Sequence, residues 1–226
     1  MRSYGQYCAL AKALDVVGDR WTLLIVRELA LRGGSRYTDL RDGLPGIATN
    51  MLADRLREME EAGIVRRDAA PPPVATTLFH LTERGQELLP ALFALGRWGA
   101  ALMGERGEGD EFRTNWLKFP IEQLFTDAAH DGPPVTIELR TGDQPMVIEA
   151  AGGTIRTHPG AAEAPDAVVT GEPDVVVGFL TGRFDLRGAR RRGLKVQGDA
   201  DAVGRIRPKD AAGEGDAVAL SQGGAR

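Results

Sequence analysis

One cysteine, Cys8, and three histidines, His80, His130 and His158, are all that 226 residues provide of the usual soft metal ligands. A lone thiol closes no internal disulfide, and this set cannot build a Cys-rich zinc site, so a reducing compartment with no structural metal and no cofactor is expected. No stretch of about eighteen apolar residues occurs, which excludes a membrane-spanning helix. The opening Met1 to Gln6 lacks the basic-then-apolar pattern of a signal peptide, so the expected location is the cytoplasm, with no membrane partner. Catalytic frames are missing too. His130 and His158 have no partners at triad or metal spacing, and no Ser, Cys or carboxylate pair stands in a recognisable frame, so no enzyme is expected. Gly33-Gly34 and Gly152-Gly153 read as turns, since neither joins a strand to a helix as a phosphate loop does.

What is present is ordinary globular material, 42% hydrophobic and 27% charged, in a chain long enough for two domains of about one hundred residues. The net charge of −4 is unevenly spread: residues 1–106 hold fourteen basic against thirteen acidic side chains, and residues 107–226 hold fourteen against nineteen. Phosphate binding is driven by Lys and Arg. A near-neutral first half retains that capacity if its arginines share one face.

In the first half apolar residues recur at helical spacing. Leu10, Leu14 and Val17 mark one helix, which Gly18 ends. With Asp19 as its expected cap, a second follows through Trp21, Leu24, Ile25, Glu28 and Leu29. Thr38 is placed to cap a short helix over Asp39 to Asp42. The turn residues Gly43-Leu44-Pro45-Gly46-Ile47 then lead to a long helix over residues 48–62. Short helix, glycine-bearing turn, longer helix is the helix-turn-helix order. On a wheel Leu52, Leu56 and Met59 face the core, and Asn50, Asp54, Arg57 and Glu61 stand opposite. Ile64 to Arg67 and Leu78 to Leu81 read as two strands of a wing, joined by a loop containing Pro71-Pro72-Pro73. A final helix after Thr82 carries Leu88, Leu89, Leu92, Phe93, Leu95, Trp98 and Leu102, more apolar surface than one small domain buries, which points to a partner subunit.

The polar, glycine-rich residues 107–112 read as a linker between a domain at 1–106 and one at 113–208. In the latter, Trp116 to Phe125 suggests a helix, and Val135 to Leu139 and Met146 to Ala150 suggest an antiparallel meander. Glu172-Pro173 opens a helix, a short one holds Ala189 to Arg192, Leu194 to Val196 is a strand, and a last helix lies near Val203. This half is α+β. Residues 209–226, rich in Ala, Gly and Asp, are expected to be disordered.

The run from Cys8 to Ile25, which includes Val16-Val17-Gly18-Asp19-Arg20-Trp21, closely resembles the opening of HxlR-type regulators. The pattern continues through Leu44-Pro45-Gly46-Ile47, Leu52-Ala53-Asp54-Arg55-Leu56-Arg57-Glu58-Met59, Glu61-Ala62-Gly63-Ile64-Val65, Leu81-Thr82-Glu83-Arg84-Gly85 and Leu95-Gly96-Arg97-Trp98-Gly99. The resemblance implies a mainly α, MarR-like winged helix-turn-helix that binds double-stranded DNA as a homodimer on a near-palindromic operator. By that carry-over Thr49 and Asn50 start the recognition helix, Arg55 and Arg57 lie along it, and Arg36 and Tyr37 precede the supporting helix. Two departures stand out. Ala48 replaces the family's common serine cap, leaving Thr49 as a substitute. The wing tip at Val74-Ala75-Thr76-Thr77 lacks a basic residue, leaving Arg66 and Arg67 at the wing base.

Pro165 to Pro173, Leu180-Thr181-Gly182-Arg183 and Gly193 to Asp199 resemble sterol-carrier-protein-like domains. Members of that group enclose an apolar cavity, so the resemblance implies a small hydrophobic ligand, with Trp116, Val147, Phe179, Leu180, Phe184 and Leu186 as candidate lining. An assembly module without ligand is the alternative, and a lipid carrier with a vestigial helix-turn-helix is a third. Cys8 sits where some HxlR relatives carry a redox-sensing thiol, although lone cysteines are more often buried and inert. Arg190-Arg191-Arg192 reads either as a second nucleic-acid patch or, more simply, as a solvated helix face. Trp21 and Trp98 fit core or dimer packing better than ligand stacking.

Overall fold

The structure, a computed structural model, describes residues 3–69, 76–104 and 106–209. Two compact units divide the chain between Trp116 and Leu117.

The first unit opens with α1 (Ala9–Val17), α2 (Thr22–Arg32), α3 (Tyr37–Gly43) and α4 (Thr49–Glu61). Asp19 does not cap α2. Its carboxylate accepts the Trp21 amide at 2.8 Å, shaping the turn ahead of the helix, and Trp21 itself holds the N-cap position. Thr38 likewise lies inside α3, which starts at Tyr37. Arg36 is its N-cap, and its amide donates to the Asp39 carboxylate at 3.3 Å. The wing strands β1 (Val65–Ala69) and β2 (Thr77–Leu81) pair antiparallel, Val65 opposite Leu81, and Ser35 extends the ribbon by exchanging two backbone hydrogen bonds with Phe79. Gly63, at φ +70°, ends α4 and turns the chain into the wing. The hydroxyl of Thr82 donates to the Gly63 carbonyl at 2.6 Å and accepts the Gly85 amide at 3.0 Å, so one side chain caps α5 (Glu83–Gln86) and pins it to the end of α4.

A core of Ile25, Val26, Leu29, Leu40, Leu44, Ile47, Leu52, Leu56, Met59, Ile64, Val65 and Phe79 holds these elements together. Trp21 packs against it, half-buried. By contrast α6 (Leu89–Ala100) contributes no buried residue, and its Leu95 and Trp98 are exposed, as are Leu10 and Leu14 on α1. The Pro71-Pro72-Pro73 loop and the wing-tip residues Val74-Ala75 lie outside the described residues.

Residues 113–116, assigned from sequence to the second domain, belong to the first unit. Arg113 donates to the Asp42 carbonyl at 3.3 Å and the Trp116 indole to the Glu28 carboxylate at 2.7 Å. A glycine-rich stretch signals where a chain bends, and says nothing of whether the next residues fold back.

A 3-10 turn (Thr114–Leu117) carries the chain across the division, and the second unit continues with α7 (Lys118–Leu124) and β3 (Phe125–Asp127). Then come β4 (Val135–Thr141), β5 (Gln144–Ala151), β6 (Thr154–Pro159), β7 (Ala167–Thr170), α8 (Pro173–Leu180), α9 (Leu186–Arg191), β8 (Lys195–Gly198), α10 (Ala200–Gly204) and β9 (Ile206–Pro208). The main sheet runs β6-β5-β4-β7-β8. Strands β4 and β5 pair antiparallel as expected and β6 continues the meander, but β7 lies parallel to β4, so the sheet is mixed. Its apolar row, Ile137, Leu139, Met146, Ile148, Ala150, Ile155, Ala167 and Val169, is buried throughout. A two-stranded sheet of β3 and β9 is clamped by Arg205, whose guanidinium donates to both oxygens of the buried Asp127 at 2.9 and 2.8 Å. At β6, the Glu122 carboxylate accepts the Thr157 amide at 2.7 Å and the Lys118 ammonium donates to the Thr157 carbonyl at 3.1 Å. The expected disorder of residues 210–226 falls outside the described residues.

Candidate nucleic-acid interface

The outward face of α4 follows from its inward one. With Leu52, Leu56 and Met59 buried, a stripe of Asn50, Ala53, Arg57 and Glu61 is exposed at helical spacing, beside half-exposed Asp54. Ala53 is the member that sequence reasoning passed over. A methyl group mid-stripe lets a helix axis approach a groove floor between longer side chains.

Ala48 is the N-cap of α4, in extended geometry and without a side-chain cap, and Thr49 does not substitute for it. Met51's amide is met by the Asn50 side chain at 3.0 Å. Among the described residues the Thr49 and Asn50 amides have no acceptor, and such first-turn donors suit an anion. Thr49 and Asn50 are exposed. Tyr37 is half-buried, and its hydroxyl donates to the Thr49 carbonyl, which ties the start of α3 to the start of α4. Arg36, next to it, is exposed and has no ion-pair partner among the described residues.

The remaining arginines differ from one another. Arg55 is only 21% exposed and bridges Glu58 at 2.6 Å and Asp19 at 3.9 Å, so it fastens α4 to the α1–α2 turn instead of standing free along the helix. Arg57 pairs with Asp54 at 2.6 Å, both well exposed, an interaction worth about 0.2–1 kcal/mol that a phosphate readily displaces. At the wing base Arg67 pairs with Glu60 at 2.8 Å and Arg66 with Asp68. Asp68 also lies 3.7 Å from His80, whose other ring nitrogen is 2.9 Å from the Gly33 carbonyl.

Behind the helix-turn-helix corner sits a group that the sequence reading placed on the second helix without giving it a role. Glu28 is fully buried, receiving the Arg27 Nε at 3.0 Å and the Trp116 indole at 2.7 Å on one oxygen, with Arg32 3.6 Å from the other. Arg27 in turn stacks on the Trp116 ring at 4.3 Å. Burial pushes the Arg27 guanidinium below its usual pKa, and the adjacent Glu28 opposes that shift. The signal was present: Glu28 occupies the same helical stripe as Ile25 and Leu29. Trp21, Leu24, Arg27, Leu44, Pro45, Trp116 and residues 109–111 border a cleft of about 240 Å³ at this corner. Cys8 is exposed at the N-cap of α1.

The six residues expected to line an apolar cavity are not brought together. Trp116 belongs to the first unit. Val147 stands in the sheet's other row, beside buried Glu138 and exposed His158. Arg140, then the Ala162 amide, hold the Glu138 carboxyl below the usual carboxylate range. Phe179, Leu180, Phe184 and Leu186 are half-buried around α8 and α9, where the Phe184 ring fills the space beside Gly178 and carries Arg192 on its face at 4.1 Å.

Helices α2, α3 and α4, the α3–α4 turn with Leu44 and Ile47 in the core, and the antiparallel wing of β1 and β2 define a winged helix-turn-helix. The HxlR-like helix-turn-helix family model matches residues 16–106. An uncharacterised HTH-type transcriptional regulator of Synechocystis sp., sll1512, is 36% identical over 42% of this chain and 70% of its own. YvaP of Bacillus subtilis, named likewise, is 36% identical over 38% of this chain and 80% of its own. Among solved structures, the reduced form of the transcriptional regulator YodB from B. subtilis is 32% identical over 46% of this chain and all of its own, with a TM-score of 0.37. The chain belongs to the HxlR-like helix-turn-helix family and is a transcriptional regulator of that type. No helix among the described residues is long and apolar enough to cross a membrane.

Proposed function

We propose that this regulator binds duplex DNA as a homodimer, each subunit placing α4 in a major groove of a near-palindromic operator. The observation that carries this reading is the exposed stripe Asn50-Ala53-Arg57-Glu61 opposite a buried Leu52-Leu56-Met59 face. Asn50 and Arg57 contact base edges or phosphates, and Arg36 with the first-turn amides of α4 grips the backbone. Thr49 contributes its hydroxyl, and Tyr37 holds the helix start in register. Arg66 and Arg67 leave their half-buried acidic partners to meet the flanking phosphates. Arg55 acts through the fold, by positioning α4.

Dimerisation is supported by α6, twelve residues without a buried member, and by the exposed Leu10 and Leu14 of α1. For the second unit, a sterol-carrier-protein-like sensor of a small hydrophobic ligand remains the reading, with the Phe179–Leu186 corner as its supporting feature. The dispersal of the expected lining favours an assembly module as the second reading. Gel-shift with a duplex from upstream of its own gene, with light scattering for subunit count, tests the proposal. A dimer that shifts the duplex supports it, and a monomer indifferent to that duplex at low salt overturns it. Deleting residues 117–226 separates the two readings, since an assembly module takes dimerisation with it and a sensor does not.

A further inference from the structure

The second half of the chain is acidic, yet α9 gathers positive charge. Arg187, Arg190 and Arg191 stand at i, i+3 and i+4, hence on one face, and all are exposed, while Gly188 and Ala189 turn inward. Arg192 is used otherwise, donating to the Gly188 carbonyl at 3.2 Å and lying on Phe184. Lys195, also exposed, opens β8 one short turn later. Among the described residues no carboxylate lies within ion-pair distance of Arg187, Arg190, Arg191 or Lys195. The acid next in sequence, Asp185, is engaged in capping the Gly188 amide at 2.6 Å.

Like charges at this spacing destabilise a helix by about 0.2–0.5 kcal/mol per pair, and α9 has only six residues over which to absorb that. Attraction to the helix C-terminus favours Arg190 and Arg191 but not Arg187 in the first turn. The arrangement is therefore unfavourable in the isolated fold and becomes favourable against a row of anions. Guanidinium forks match phosphate oxygens in pairs.

We infer that the Arg187-Arg190-Arg191 stripe binds the phosphate backbone of duplex DNA, giving the second unit a nucleic-acid contact of its own. This rests on the DNA-binding reading above, which brings a polyanion to the molecule. The contact reads no sequence, so it strengthens binding to every duplex alike.

The test is a salt titration of full-length protein on the upstream duplex and on an unrelated duplex. Wild type is compared with R187S/R190S/R191S and with the charge-preserving R187K/R190K/R191K, after matched melting temperatures show that both variants are folded. Each lost phosphate contact lowers the slope of log K against log salt by about 0.9, so the serine variant loses about 2–3 in slope on both duplexes and the lysine variant keeps the wild-type slope. Equal slopes for wild type and serine variant overturn the inference and leave the DNA-binding reading intact. Equal slopes with capture of wild type, but not the serine variant, by phosphatidylglycerol vesicles assign the stripe to a membrane surface instead. Wild type that binds neither duplex at low salt overturns both.

Discussion

The indole of Trp116 reaches back to the buried carboxylate of Glu28, 2.7 Å away, closing a cluster in which Arg27 touches both. Glu28 also stands against Gly43 at the end of α3, so close that a Cβ added there would collide with its carboxylate oxygen. The chain leaving the first unit is thus fastened to the corner that sets α3 against α4. Trp116→Phe leaves a buried acceptor short of a donor and costs about 1–3 kcal/mol in urea unfolding. Gly43→Ala costs a similar amount by overpacking, and Glu28→Ala in the same chain recovers part of that loss. Additive losses in this cycle refute the contact.

Arg55 and Arg57 are two residues apart and answer differently to alanine. Arg57→Ala is expected to weaken operator binding at unchanged melting temperature, with the salt slope falling by about 1 if its contact is to phosphate. Arg55→Ala releases Asp19 and Glu58, so it lowers the melting temperature first. Melting curves beside gel-shifts separate the two effects.

Trp98 lies 70% exposed on α6, a helix with no fully buried residue. Trp98→Glu is expected to leave the fold intact by circular dichroism and to shift the dimer to monomer in light scattering. An unchanged dimer places the seam elsewhere.

The Asp127 carboxyl is held below the ordinary carboxylate range, chiefly by hydrogen bonds from Arg205, with burial opposing and the Ala129 amide assisting. Its folded pKa being lower than its unfolded one, this pair contributes stability above about pH 4 that is lost as pH falls further. Asp127→Asn is expected to lower stability at neutral pH and to flatten its acid dependence, read from unfolding midpoints between neutral pH and pH 3. Parallel curves for variant and wild type contradict that role.

Much of the first unit was legible in the chain because helical periodicity is local. Leu52, Leu56 and Met59 announce the buried side of α4, and with it the exposed one. The tie between Arg55 and Asp19 was not legible because the two are 36 positions apart in sequence, whereas the closer partner Glu58 stands only three residues on. Spacing alone does not reveal a tie between elements so far apart. The caps of α2 and α3 were each misplaced by a residue or more, since Asp19 and Asp39 act on neighbouring amides from outside the cap position. In the second unit β6 escaped notice, its Thr154-Ile155-Arg156-Thr157 alternating through a threonine that is buried. The parallel pairing of β7 with β4 joins residues about thirty apart, which no window of strand length contains.

At β6, a lysine and a glutamate one helical turn apart on α7 supply the donor and acceptor that a neighbouring strand would offer to Thr157. The β6 border of the main sheet is therefore already engaged by side chains at its middle. A strand added along β6 must first displace Lys118 and Glu122 from Thr157, a cost that works against ribbons of copies joined border to border.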